Sequence, residues 1–305
     1  MVLDAHPSTY QKVLSAWISE HTNIQCVLDA KVTGATPMAA GGYKLKYESS
    51  SGPHSVAADV LVDATGVGSL CQMVDPTLLS HSGARAAAGL VLRFVDAESG
   101  AMEFPRNVGA VRAIRAAVQA RSLPSEAATV WLDQGPGDGE VYAKMMIDLP
   151  QDWRDSGAIS RIREGAIGTC ESLSIFLQTL PHLRSARLAE IGALGIRDGG
   201  SIRGEYTLTG NDVRSGATFK DTAGRACWPI ERWVPGQGIK MEFLPEGSAY
   251  EIPLRALRAA GYENLWCVGR CISADEEAQA SARVVGTLWA LGESVGKSSV
   301  SGFEG

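Results

Sequence analysis

The chain opens on an amphipathic pattern. In "MVLDAHPSTYQKVLSAWISEH" the apolar residues Tyr10, Val13, Leu14, Trp17 and Ile18 recur at helical spacing, which predicts a helix with one apolar face and Ser8 or Thr9 as N-cap. The period then shortens. "IQCVLDAKVTGATP" and "YKLKYES" alternate or run apolar as strands do, with Gly41-Gly42 and Ser51-Gly52-Pro53 as breaks. Val60–Val62 reads as a buried strand running into a turn of small residues. A strand is expected over 87–95, helices over about 107–121 and 157–180, and strands in "ATVWLD" and "EVYAKMMIDL". "IRDGGSIRGEYTLTGNDV" reads as extended. Residues 210–248, rich in Gly and Pro, read as loop with Trp228 and Trp233 inside it. A short strand at Leu265–Val268, a long Ala-rich helix and a frayed tail from Lys297 close the pattern.

These textures divide the chain. Segments 1–85 and 249–305 read as α/β layers, and 86–248 as an inserted α+β lobe, an arrangement that usually holds a ligand at the seam between lobes.

Composition narrows the partners. The 305 residues are 45% hydrophobic and 20% charged, values of a soluble globular protein. A net charge of −6 with scattered Lys and Arg gives no footprint for nucleic acid. No apolar run reaches membrane-spanning length, since "AAAGLVLRF" is cut by Arg93. Residues 1–25 carry no secretory pattern, so a cytoplasmic location is expected. Six dispersed cysteines, Cys26, Cys71, Cys170, Cys227, Cys267 and Cys271, read as reduced thiols rather than a disulfide framework. Cys267 and Cys271 have C-x3-C spacing without the partner ligands of a metal site, so no metal is expected.

Two segments carry the chemistry. Gly269, lacking a Cβ, lets the backbone after Leu265–Val268 approach a ligand closely. Ser273 and Glu276 have the spacing of a capping box, S-x-x-E. The free N–H groups of the helix that follows would face a partly negative group, and Ala274, Ala278, Ala280, Ser281 and Ala282 would let it pack tightly. Asp275, Glu276 and Glu277 suit a helix first turn, with side chains expected to point outward. The second segment, "ADVLVDATGVG", ends a buried strand at Ala64-Thr65-Gly66, the kind of sheet edge where open α/β sheets bind nucleotides.

Together with "SIRGEYTLTGNDV" and "YEIPLRAL", these segments resemble the FAD-dependent oxidoreductase family with a glutathione-reductase-like flavin fold, over about residues 2–297. The resemblance implies that Ala64, Thr65 and Gly66 line the adenosine side of FAD, and that Gly269, Arg270, Ser273 and Ala274 line the flavin side. The family opens with a strand, a G-x-G-x-x-G turn and a helix cradling the pyrophosphate. No such motif occurs here: "GVGSLC" lacks the third glycine and "GPGDGEVY" precedes a strand. The expected fold is therefore an incomplete glutathione-reductase-like FAD-binding fold, α/β with an inserted α+β lobe. A separate subunit supplies the missing unit, or the chain is a truncated fragment, or the cofactor is lost.

The reaction implied is hydride removal from a small organic substrate. Arg197 and Arg203 are candidate substrate anchors, because an Arg fork grips carboxylates. Arg203 and Tyr206 are candidate catalytic groups, with Arg203 equally readable as a structural ion pair. His182 reads as catalytic or as a surface residue, and Trp228 and Trp233 as walls of the site or as packing. The rival function is a non-catalytic scaffold or binding subunit without FAD.

Overall fold

A computed structural model describes residues 6–80, 87–155, 157–197, 199–234 and 238–301. The first five residues of the expected opening helix and the expected lobe boundary at 85/86 lie outside the described residues. The chain forms two compact units: Met1–Leu28, Ala87–Gly195 and Pro235–Gly238 in the first, Asp29–Ala86, Ile196–Val234 and Ile239–Gly305 in the second. The inserted lobe is thus shorter than the pattern suggests. Residues 196–234 fall in the second unit, where Ile202 and Leu208 bond to Cys271 and Ser273 and Thr222–Ala226 pairs with Tyr250–Pro253. The opening helix joins the first unit.

In the first unit, strand Ala87–Val95 is central and pairs antiparallel with Val141–Asp148 on one side and Arg187–Ile191 on the other. Trp131–Gln134 extends the sheet beyond Val141–Asp148. Leu90, Leu92, Phe94, Ala143 and Met145 are buried along these strands, and the helices Arg106–Gln119 and Ala158–Leu177 contribute Ile114, Leu173 and Leu177. The opening helix spans Pro7–Ser19. Its N-cap is His6, whose ring nitrogen accepts from the Ser8 N–H, rather than Ser8 or Thr9, and none of its residues is buried.

The second unit is built from small sheets. Lys31–Pro37, Tyr43–Ser49 and Gly52–Ala58 form an antiparallel meander; the apolar run before Lys31 is not strand. Leu61–Asp63 pairs in parallel with Leu265–Cys267. The expected 210–248 loop instead contains the helix Gly210–Ser215 and the strands Thr222–Ala226, Ile230–Val234 and Gly238–Glu242. Thr222–Ala226 pairs antiparallel with Tyr250–Pro253, a partner too distant for local pattern to show. Tyr250, Ile252, Trp266, Leu208 and Leu291 pack together in the core. Residues 297–301 of the tail expected to fray continue the helix Val285–Ser301, and the rest of that tail lies outside the described residues.

Candidate FAD site

Two parallel strands fix the site, since parallel neighbours present both C-terminal ends at one edge. After Leu61–Asp63 the chain turns through Ala64-Thr65-Gly66, and after Leu265–Cys267 through Val268-Gly269-Arg270. Both turns need glycine. Gly66 has φ +74° and Gly269 φ +123°, conformations that a residue with a Cβ adopts only under strain. A Cβ on Gly66 would lie 2.6 Å from an Arg270 guanidinium nitrogen, and one on Gly269 would sit 3.8 Å from the Gly66 Cα. The expected adenosine-side and flavin-side turns are therefore in contact, with the Arg270 side chain laid over Gly66.

Asp63 braces the first turn. It is fully buried; one carboxylate oxygen accepts from the Thr65 N–H at 2.9 Å and its hydroxyl at 2.7 Å, and the other accepts from the Cys71 N–H at 2.8 Å. Each charged oxygen is thus satisfied, as a buried carboxylate requires. Gln279, also buried, braces the second turn: its amide nitrogen donates to the Gly200 carbonyl at 3.1 Å and the Arg270 carbonyl at 2.5 Å. Sequence reading missed both residues, although an acid closing an apolar strand immediately before Ala-Thr-Gly was a usable signal for Asp63.

The late helix starts differently from the capping-box expectation. Ser273 is buried and is not the cap. Its backbone N–H donates to Ala256 O and its carbonyl accepts from the Leu208 N–H. This binds it into a neighbouring segment before the helix begins. The cap is Asp275, which accepts from the Ala278 N–H at 2.8 Å at the start of Glu276–Ala282. Its two oxygens also accept from the Gly210 N–H at 3.1 and 2.9 Å, so one carboxylate holds two helix starts. Asp275 therefore points inward, contrary to expectation. Glu276 is exposed, and Glu277 pairs with Arg214 and Arg232. Arg214 and the neighbouring Glu242 hold the Glu277 carboxyl in a charged network, with Arg214 keeping it below its ordinary range.

The middle element explains its own motif. Gly204 fits because a Cβ there would come 2.6 Å from the Ser273 Cβ and 3.1 Å from the Arg255 carbonyl. Thr209 caps Gly210–Ser215 in a capping box with Asp212. The Tyr206 hydroxyl donates to the same Asp212 carboxylate at 2.9 Å; burial first, and that bond second, raise the phenol's pKa. Proton transfer by Tyr206 would have to break this bond. Arg203 is exposed, its guanidinium 3.4 Å from the Thr77 hydroxyl, while the adjacent Ile202 N–H donates to Cys271 O at 2.9 Å. Arg197 stacks on Trp233 at 4.1 Å. The Trp228 and Trp233 indole N–H groups each donate to the Glu231 carboxylate, so both tryptophans are held within the second unit's packing. His182 belongs to the first unit and pairs with Glu98 at 3.0 Å.

The sequence pattern of the FAD dependent oxidoreductase family matches residues 4–300. The chain belongs to that family. No curated protein matches it. Solved structures similar to it include a flavin-dependent brominase, at 13% identity and TM-score 0.40, covering 94% of this chain and 54% of that one. The p-nitrophenol 4-monooxygenase of Pseudomonas putida is similar at 12% identity and TM-score 0.37, over 67% of this chain and 45% of that one. A ternary complex of aklavinone-11 hydroxylase with FAD and aklavinone is similar at 11% identity and TM-score 0.34, over 88% and 35%. These likenesses are too slight to carry an argument. The chain spans about a third to a half of the length of the structures it matches. No helix among the described residues is long and apolar enough to cross a membrane, and no group of three or more potential metal ligands occurs among them.

FAD is the family's cofactor, and the double turn fits it. The Arg270 Nε is buried and lacks a hydrogen-bond partner among the described residues. A buried N–H without an acceptor is costly. An anionic or carbonyl-bearing ligand laid along the two glycine turns would supply the missing acceptor.

Proposed function

We propose that this chain is the flavin-side part of an FAD-dependent oxidoreductase of glutathione-reductase-like fold. One observation carries the reading: two glycine turns meet at the C-terminal edge of a parallel strand pair, with the Arg270 guanidinium over Gly66 and its Nε without an acceptor among the described residues. Bound FAD supplies a two-electron acceptor for hydride leaving a small organic substrate. Gly66 and Gly269 let backbone approach the cofactor, Thr65 is oriented by Asp63, and Arg270 donates to an electronegative edge. Ser273 and Ala274, both buried, hold the late turn against Leu208. Arg203, the exposed guanidinium next to Ile202, whose N–H donates to the Cys271 carbonyl, is assigned to an anionic group on the substrate, and Arg197 to a supporting position on Trp233.

The 305 residues contain no G-x-G-x-x-G turn; we assign the pyrophosphate to a glycine-rich unit outside them, and propose that a second polypeptide carries it. Two exposed apolar surfaces support that reading. Val13 and Trp17 on the opening helix are 60% and 52% exposed, and Val62 on the two-stranded parallel sheet is 42% exposed. Such surfaces invite cover, and a partner covering them would stabilise this chain by mass action.

The test is to purify the chain alone and co-expressed with a glycine-motif protein, in wild-type, Gly269→Val and Arg270→Met forms. Flavin absorbance and size-exclusion mass are then compared. Flavin retained only by the wild-type complex is the expected result. A yellow monomer with one FAD per lone chain refutes the second polypeptide, and full flavin retention by both variants refutes the site.

A further inference from the structure

Cys267 ends one of the two strands that build the site, and Cys271 follows the Gly269-Arg270 turn. Both are fully buried, and their sulfurs lie 3.2 Å apart. The cause is the turn itself. The left-handed backbone at Gly269 doubles the chain back, so a residue four positions on lies over the strand end. A third buried thiol, Cys71, packs in the same cluster. The remaining cysteines are spread elsewhere: Cys26 and Cys227 are exposed, and Cys170 is buried in the helix Ala158–Leu177.

We propose that Cys267 and Cys271 form a dithiol–disulfide couple whose closed form is a ring around Gly269 and Arg270. Closure needs the sulfurs to approach from 3.2 Å to about 2 Å, a movement of the size that side-chain rotation supplies. The oxidant is hydrogen peroxide. The two thiols give up two protons and two electrons, the S–S bond forms, the O–O bond of peroxide breaks, and two waters leave. Contact with Cys271, then with Cys71, and then burial all hold the Cys267 thiol well above the ordinary cysteine pKa. Little thiolate is present, so the reaction is slow. The couple therefore responds to sustained peroxide rather than to a brief pulse. The ring ties the turn that carries Arg270 to the strand end, and it does so whether or not FAD is bound.

The chain sequence supplies a direct readout, because Arg270 lies between the two cysteines. The full-length protein is incubated with hydrogen peroxide, denatured, alkylated with iodoacetamide and digested with trypsin without reductant. Cleavage after Arg258, Arg270 and Arg283 places Cys267 in residues 259–270 and Cys271 in residues 271–283. The expected result is these two peptides joined, at a mass two hydrogens below their sum, and separated by reductant. Cys271→Ser should abolish the joined species, and Cys71→Ala should leave it. A joined species linking Cys71 to Cys267 would overturn the proposal. So would two fully alkylated peptides at peroxide levels that have already oxidised the exposed Cys227.

Discussion

Replacing Arg270 by Met should move stability and cofactor affinity in opposite directions. Met keeps much of the aliphatic stem and removes the guanidinium that lies over Gly66 and whose Nε has no acceptor among the described residues. A buried polar group left unsatisfied costs about 1–3 kcal/mol. Arg270 is only partly buried as a residue, so the lower end applies, and removing it should stabilise the cofactor-free protein by about 1 kcal/mol. For a domain of this size that is a rise of about 2–4 °C in Tm. A charge-assisted hydrogen bond to the cofactor contributes about 1.5–3 kcal/mol, so the variant should bind FAD about 10- to 100-fold more weakly. Differential scanning fluorimetry of the cofactor-free chain gives the first quantity. Quenching of FAD fluorescence, titrated with the glycine-rich unit present, gives the second. A variant that melts more than about 4 °C below wild type and binds FAD unchanged would show that Arg270 is a structural prop and refute the assignment.

Gly66→Ala should weaken FAD binding to a similar degree by displacing the same guanidinium, and its effect should largely vanish in an Arg270→Met background, as a double-mutant cycle of affinities would reveal. Gly204→Ala should destabilise the protein by about 1–3 kcal/mol through overpacking against Ser273 and the Arg255 carbonyl; an unchanged urea midpoint would contradict the packing. Asp275→Ala should cost about 2–3 kcal/mol, because two helix starts lose their acceptor, whereas Asp275→Asn should cost under about 1 kcal/mol; equal midpoints for the two variants would remove the shared-cap reading. Arg203→Lys should lower kcat/KM for any anionic substrate found active, since Lys lacks the fork, and unchanged kinetics would return Arg203 to a structural role. Burial works against ionisation of Asp221, but hydrogen bonds from Arg255 outweigh it and hold its carboxyl below the ordinary 3.8. A carboxyl depressed by folding stabilises above its unfolded pKa and loses that contribution as pH falls through its folded value. Wild type should therefore lose stability on acidification below about pH 4 more steeply than Asp221→Asn, and parallel curves would refute the linkage.

The parts of the site that sequence made legible are those whose causes are local. Gly66 and Gly269 were readable because a short apolar strand running into glycine states its own backbone requirement. The helices Arg106–Gln119 and Ala158–Leu177 and the strand Ala87–Val95 were readable because period alone fixes a long element. What failed was governed by distant partners. Ser273 has the spacing of an N-cap, yet contacts with Ala256 and Leu208 claim its backbone first and pass the cap to Asp275. Thr222–Ala226 looks like loop until Tyr250–Pro253 lies beside it. Gln279 gives no local sign that its amide will bridge Gly200 and Arg270. Residues 196–234 read as part of the inserted lobe by composition, whereas long-range bonds such as Leu208 to Ser273 draw them to the second unit.

The pairing of Leu61–Asp63 with Leu265–Cys267 also sets an order of events during synthesis. Roughly 200 residues separate the two strands, and at about 5–20 residues per second a ribosome takes about 10–40 s to cover that distance. Throughout that interval the strand that will carry Asp63 has no parallel neighbour, and its apolar residues are available to wrong partners or to chaperones. The bonds of the second turn, from Leu208 to Ser273 and from Gly200 to Gln279, wait for the same late segment, while the Asp63 bonds to Thr65 and Cys71 can form early. The paired edge is thus among the last parts of the molecule to come into being, and a nascent chain stalled before residue 265 would have the residues of its first unit and the Asp63-braced turn, but not the turn that faces it.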